Sequence, residues 1–286
     1  MKLINQSAEY LPQSSGIEGI YKAIELAGRT SYLSWDKMTD DSASKFVDML
    51  IKSKHTSVLE HGAVYLHFFW PGAVCQVCNQ TTPHKLLDKY CMNSYSKVNY
   101  HGNDIYVTTN MRVLQENNWL TDLKFLCEPT KYHEKRLSVR VITDIGVTRE
   151  FNRHRTFSIV EQSTRYCNFS KDKFGNELTF INPVWSIKLK PDAYGEDLSY
   201  TFFLNEVEIL YKHLINDCGW SAQQARTILP LCTKTEVVYT AFESDWRHFF
   251  DLRLRETTGA AHPQAKALAQ LIYNEFEKYG LTRNMG

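Results

Sequence analysis

The chain has 286 residues, and its 33 lysines and arginines nearly balance 32 aspartates and glutamates, for a formal net charge of +1 at pH 7. That length buries a full core without disulfides and fits one large domain or two small ones. The neutral balance argues against a dedicated DNA-coating protein while leaving room for a local basic site. Aromatic residues make up 13%, enough for pockets that stack planar rings. No run of about 18 apolar residues occurs, so no membrane span is expected. Met1 to Leu11 lacks a basic segment followed by an apolar one, so no secretory signal is expected either. The seven cysteines are Cys75, Cys78, Cys91, Cys127, Cys167, Cys218 and Cys232. Cys75-Gln-Val-Cys78 has zinc-knuckle or redox spacing, but no second cysteine pair or histidine pair follows at ribbon distance. Reduced thiols in a cytoplasmic enzyme are the expectation.

In chain order, Ser15-x-x-Glu18 is a capping-box pattern, and Ile17, Ile20, Tyr21, Ile24 and Ala27 follow at helical spacing, predicting a helix over 16–28. Asp41-Ser42 opens a second amphipathic helix with Phe46, Met49 and Leu50 inward, its last turn carrying Lys52 and Lys54 where the helix dipole favours cations. His55-Thr56-Ser57-Val58-Leu59-Glu60-His61 then leads into a strand over 63–70. Two histidines and a glutamate so close together raise a metal site, but the H-E-x-x-H order is absent and no third ligand is evident. On pattern alone these are polar loop residues. The stretch 71–136 is polar and aromatic, with one strand predicted at Met111-Arg112-Val113-Leu114 and a helical run near 118–127.

Val139, Val141, Thr143, Ile145 and Val147 alternate with other residues as in a half-buried strand. A helical turn, Thr148 to Asn152, leads into Arg153. The cluster 171–176 reads as a turn and 178–181 as a strand. A long helix over 200–218 buries Phe203, Leu204, Val207, Leu210, Tyr211 and Leu214 and stops at Gly219. Ser221-x-x-Gln224 starts another helix, ended by Pro230. A strand over 235–241 follows, then a helix capped by Ser244 with Trp246, Phe249, Phe250 and Leu252. A last helix is opened by His262-Pro263 and closed by Gly280.

The densest chemistry lies in Arg153-His154-Arg155-Thr156-Phe157-Ser158-Ile159-Val160-Glu161-Gln162-Ser163-Thr164-Arg165-Tyr166. Arginine forks donate paired hydrogen bonds and stay charged at any working pH, which suits phosphate oxygens. Adjacent side chains diverge by about 100° on a helix or about 180° on a strand. Arg153, His154 and Arg155 therefore cannot all grip one small anion from a single regular element, and two anionic ligands or two subunits are the simplest solutions. On bare composition, a solvated or nucleic-acid-contacting basic cluster is the rival reading.

The spacing from Arg153 to Tyr166 resembles the signature of flavin-dependent thymidylate synthases, with Ser158 and Glu161 also in place. His55 to His61 resembles that family's H-x-[TS]-x-x-E-H stretch. Ala225-Arg226-Thr227-Ile228-Leu229-Pro230-Leu231 resembles its A-R-x-x-L-P-L run, and Phe249 to Arg253 its F-L-x-L-R element. The resemblance covers roughly 17–70, 139–166 and 200–280. It implies a mixed α/β single domain over 1–286, with helices packed on a central sheet, an ordered insertion at 71–136, and a homotetramer with active sites between subunits. It also implies conversion of dUMP to dTMP, with methylenetetrahydrofolate as carbon donor, NADPH as reductant and FAD as hydride carrier, and no nucleic-acid or membrane partner.

By that resemblance His55, Ser57, Glu60, Arg153, His154, Arg155, Glu161 and His248 contact the flavin. Glu150, Arg153, Glu161, Ser163, Thr164, Arg165, Arg226 and Arg253 contact dUMP. Arg253 has the catalytic role: a guanidinium beside the uracil ring stabilises negative charge by roughly 3 kcal/mol per well-placed donor. No cysteine has the surroundings of an activated nucleophile, and no metal site is expected. Three departures stand out. Glu150 occupies a position where glutamine is usual, and its carboxylate repels phosphate unless it is protonated or turned toward an arginine. Phe242 and Ser244 replace an asparagine and an arginine at the adenine end of FAD. A flavoprotein reductase acting on another nucleotide is the alternative these departures keep open.

Overall fold

Residues 1–69, 88–185 and 199–285 are described by the computed structural model. Its strands are β1 (Lys2–Ile4), β2 (Ser7–Leu11), β3 (Ala63–Phe69), β4 (Lys97–His101), β5 (Asp104–Asn110), β6 (Arg136–Asp144), β7 (Ser158–Glu161), β8 (Thr179–Ile181) and β9 (Lys234–Phe242). The helices that matter below are α1 (Gly16–Thr30), α2 (Ser42–Lys52), α3 (Met111–Glu116), α4 (Ile145–Phe151), α5 (Tyr200–Asn216), α6 (Ala222–Ala225), α7 (Glu243–Arg253) and α8 (Pro263–Lys278). The fold is mixed α/β.

In β6, Leu137, Val139 and Val141 point into the core while Ser138, Arg140 and Ile142 are only partly covered, the alternation expected of a strand with one buried face. β6 lies inside a four-stranded antiparallel sheet ordered β2–β6–β9–β7, with Tyr10, Val139 and Tyr239 in register across three strands. Helices α4, α7 and α8 cover this sheet. Trp246, Phe249 and Phe250 of α7 and Leu268, Ile272 and Phe276 of α8 are fully buried against Val139, Val141 and Tyr239. Each such side chain contributes about 1.5–3 kcal/mol relative to exposure. The indole of Trp246 keeps its N–H satisfied by donating to the Leu137 carbonyl at 3.0 Å. α8 forms because Ala265, Leu268, Ala269, Ile272 and Phe276 recur at helical spacing on one face. Pro263 starts it, and Gly280 leaves it with φ of 66°.

The single central sheet expected from the sequence is replaced by three sheets. A three-stranded antiparallel sheet, β3–β5–β4, packs with α1, α2 and α3 around Leu59, Val64, Leu66 and Val107. β1 and β8 form a parallel pair. The three-stranded sheet draws two of its strands from the stretch read as an insertion, and residues 88–136 are thus built into a core with α1 and α2. Hydrogen bonds tie the four-stranded sheet to β3 and to the turn that precedes it. The Arg136 N–H donates to the Tyr65 hydroxyl at 3.1 Å, and His61 Nδ1 pairs with Thr240 Oγ1 at 2.8 Å.

Several local expectations are corrected. Met111 to Leu114 is helical, because Asn110 Oδ1 accepts from the Val113 N–H and starts α3. β6 ends at Asp144, and Ile145 and Val147 belong to α4, because the Asp144 carboxylate caps that helix through the Val147 N–H at 2.8 Å. Ser15 makes no cap bond. Its hydroxyl donates instead to Glu128 at 2.8 Å. Ser244 lies inside α7, which begins at Glu243. Met49 is exposed and Val47 takes the buried position. In α5, Leu204 and Tyr211 are buried, but Phe203 and Leu210 are exposed together with Phe202 and Ile209. The run 118–127 forms a 3-10 turn, Leu120–Phe125. Cys75 and Cys78 lie outside the described residues. Among those residues no helix is long and apolar enough to cross a membrane, and no cluster of ligands suits a metal ion.

Candidate functional site

α4 carries the first part of the site. Its capped start faces Leu231 and Thr233, whose carbonyls accept from the Gly146 and Ile145 N–H groups, and its last turn presents Glu150. The chain then turns tightly: the His154 N–H donates to the Phe151 carbonyl at 2.9 Å and the Phe157 N–H to the His154 carbonyl at 3.1 Å. That turn splits the basic triplet. His154 is buried against Phe157 and Phe249, while Arg153 and Arg155 face solvent, as the divergence of adjacent side chains requires.

Arg253, in the last turn of α7, meets this turn. Its Nε donates to His154 Nε2 at 3.2 Å, Nη1 to the Glu150 carboxylate at 3.1 Å, and Nη2 to the Glu150 carbonyl at 2.6 Å. Of the two conditions under which a carboxylate at position 150 tolerates a phosphate ligand, the structure displays the second, Glu150 turned toward an arginine. Accepting from Arg253 leaves the ring proton of His154 on Nδ1. Burial first, then Arg253, His248 and Arg153, push the His154 pKa down to about 4, so the ring is neutral at pH 7. His248, exposed on α7, lies 6.2 Å from it between ring centres. Glu150 also walls a cavity of about 350 Å³ together with Asp144, Gly146, Trp185, Tyr200 and His262.

The far end of β7 carries the second part. Glu161 Oε1 accepts from the Thr148 and Thr235 hydroxyls, each at 3.1 Å, and burial raises its pKa. Beyond it the Ser163 N–H donates to the Ser31 carbonyl at 2.9 Å, which ties the loop to the end of α1. The Cys167 N–H closes a turn on the Ser163 carbonyl at 3.0 Å. Arg226 Nη1 reaches the Thr164 hydroxyl at 3.5 Å, and Arg165 Nε donates to Gln223 at 2.9 Å. Both guanidinium groups are exposed, and that of Arg165 lies 5.4 Å from the ring of Tyr166, itself 5.1 Å from the exposed ring of Tyr32. Paired arginines and two hydroxyls form a donor set suited to a phosphate. Burial pushes the neighbouring Cys167 thiol up, away from the thiolate a nucleophile needs.

A third part is the 3-10 turn Thr56–His61, packed beside β7. His55 and Ser57 are exposed. Glu60 is held by Arg112 at 2.5 Å, a contact from the stretch read as an insertion, and Arg112 also binds Glu116 at 2.8 Å. Arg136 is buried, stacks 4.9 Å from the Phe242 ring centre, and donates through Nη2 to the Glu60 carbonyl and the Ser158 hydroxyl. Its Nε has no hydrogen-bond partner among the described residues. Neither Arg112 nor Arg136 was identifiable from sequence: one sat in a misassigned strand, and the other fell at the end of the 71–136 stretch, outside every recognised motif. A second cavity of about 350 Å³, between β2 and α1 near His61, carries none of these arginines.

Within one chain the Arg153 turn and the Ser163 loop lie at opposite ends of β7, whose four residues span about 13 Å.

Residues 132–279 match the model of a family described as thymidylate synthase complementing protein. A flavin-dependent thymidylate synthase of Pyrococcus furiosus is 36% identical over 109 residues, 38% of this chain and 42% of that protein. One from Tropheryma whipplei is 27% identical over 162 residues, 51% of this chain and 64% of that protein. The chain thus spans about half the length of these curated relatives. A crystal structure of the UMP/dUMP methylase PolB from Streptomyces cacaoi, bound with 5-Br dUMP, aligns over 100% of this chain and 96% of that one, at 18% identity and a TM-score of 0.45, a likeness too distant to carry an argument. Glu150, Arg153, Ser163, Arg226 and Arg253 fall inside the family match, whereas His55, Ser57 and Glu60 fall outside it.

Proposed function

We propose, from the premise that this chain belongs to the thymidylate synthase complementing protein family, that it is a flavin-dependent methyltransferase converting dUMP to dTMP. Methylenetetrahydrofolate is the carbon donor and NADPH the reductant. The observation that carries this reading is the family match across 132–279, which contains both the Arg253–Glu150–His154 contact and the phosphate-suited loop.

The donor set fits FAD. Exposed Arg153 and Arg155 suit a diphosphate, and the buried His154 between them is neutral, so it adds no competing charge. His55, Ser57, Glu60, Glu161 and His248 complete the set of cofactor contacts. When bound, FAD supplies hydride transfer to the pyrimidine, chemistry that no side chain can perform. Ser163, Thr164, Arg165 and Arg226 hold the dUMP phosphate through hydroxyls, N–H donors and guanidinium forks. Arg153 and Glu161 flank the shared site. Arg253 orients its fixed positive charge toward the uracil as negative charge develops, a preorganised effect worth about 3 kcal/mol.

About 13 Å of strand separates the Arg153 turn from the Ser163 loop. That span favours a site completed by a second copy of the chain, in the homotetramer that the family resemblance implies. We read 1–286 as one domain, with 71–136 an addition to the family scaffold, and place the enzyme in the cytoplasm without nucleic-acid or membrane partners. The deciding assay is tritium release from carbon 5 of labelled dUMP. Release dependent on both folate and NADPH is expected. Flavin-loaded protein that turns over NADPH but releases no tritium rejects the reading.

A further inference from the structure

We propose that Glu150 is a positioning residue that sets the guanidinium of Arg253 before any ligand arrives, rather than a ligand contact itself. The inference rests on the reading of Arg253 given above. Glu150 supplies two grips from one residue, its carboxylate on Nη1 at 3.1 Å and its own carbonyl on Nη2 at 2.6 Å, while His154 Nε2 takes Nε at 3.2 Å. Three nitrogens of a planar, rigid fork are thereby engaged in different directions, which determines both its place and its tilt. The Arg253 side chain is 14% exposed and that of Glu150 37%, so the carboxylate is the outer member of the pair. Glu150 and His154 also come from the last turn of α4 and the turn that follows it. Their spacing is set by one short element, and the clamp closes on an arginine 103 residues beyond Glu150. A carboxylate committed to Arg253 no longer opposes a phosphate in the same site.

The test is a cycle of variants in the flavin-loaded enzyme. Glu150→Ala is expected to lower kcat about 10- to 100-fold, since a misplaced catalytic group costs up to about 100-fold, with flavin content unchanged. Glu150→Gln keeps an oxygen on Nη1 and is expected to remain within about threefold of wild type. The double variant Glu150→Ala/Arg253→Ala is expected to equal Arg253→Ala alone within about threefold. Losses that multiply in the double variant overturn the proposal, because Glu150 then acts independently of Arg253. A second readout needs no substrate. By nitrogen-15 NMR, His154 in the wild type carries its proton on Nδ1, and in both Glu150→Ala and Arg253→Ala it relaxes to a tautomer mixture. Retention of the wild-type tautomer in Glu150→Ala overturns the clamp even if dUMP proves not to be the substrate. Absence of tritium release in the wild type rejects the dUMP reading alone.

Discussion

Arg253→Ala is expected to lower turnover about 100- to 1000-fold, the usual loss when one preorganised donor is removed, while flavin absorbance per chain stays at the wild-type level. Parallel loss of turnover and flavin makes the residue structural. Arg226→Ala removes one charge-assisted contact to phosphate, worth about 1.5–3 kcal/mol, so kcat/KM for dUMP drops roughly 10- to 100-fold, mainly through KM. Steady-state kinetics distinguish this from a fall in kcat at constant KM, which assigns Arg226 to the chemical step. His61 gives a pH test. Burial first, and Arg136 second, push its pKa down to about 3, whereas the unfolded ring titrates near 6.5. Between those values the unfolded chain binds a proton that the fold refuses, so stability from a neutral His61 is complete above about pH 6.5 and is lost as pH falls toward 3. Urea unfolding of His61→Gln is expected to show a shallower dependence on pH in that window, by up to about 1.4 kcal/mol per pH unit. Identical slopes in the two proteins mean that His61 is charged in the fold.

At the scale of elements, α4 is the short piece on which the site turns. Its cap is the buried Asp144 carboxylate, and loss of an N-cap costs about 0.5–2 kcal/mol. Asp144→Ala is expected to show that loss in urea unfolding together with reduced turnover, because Glu150 and His154 ride on α4 and the turn after it. Asp144→Asn keeps an acceptor and recovers most of both. Full turnover in Asp144→Ala separates the helix start from the site. The strand pattern over 139–147 was half correct for a physical reason. Val139, Val141 and Thr143 do alternate into the core, but alternation cannot register that Asp144 captures the Val147 N–H and bends the chain into a helix. Met111 to Leu114 was misassigned in the same way, through the Asn110 cap. In α5, Phe203 and Leu210 sit beside the Leu204–Tyr211 stripe, so an apolar face broader than its contact was predicted as wholly buried.

At the scale of the molecule, the proposed homotetramer makes a direct prediction. Sedimentation equilibrium of the flavin-loaded protein gives four times the chain mass. A fully active monomer rejects a site shared between copies and obliges the Arg153 turn and the Ser163 loop to serve separate ligands. The exposed side chains Phe202 and Ile209 of α5 mark one apolar face whose coverage that measurement addresses.

The linear order of residues was enough to identify the family, because the Arg153–Tyr166 spacing, Arg226 and the Phe249–Arg253 element are local patterns whose residue types carry the chemistry wherever the chain runs. It was also enough for α1, α8 and β9, since their apolar period is written in consecutive residues. Only tertiary structure decided that Glu150 grips Arg253, that Arg112 takes Glu60, that Arg136 is buried between Ser158 and Phe242, and that three sheets share the work of one. Each of these contacts joins residues between 22 and 106 positions apart. Whether two such charges meet depends on packing, which no local pattern of residue types contains.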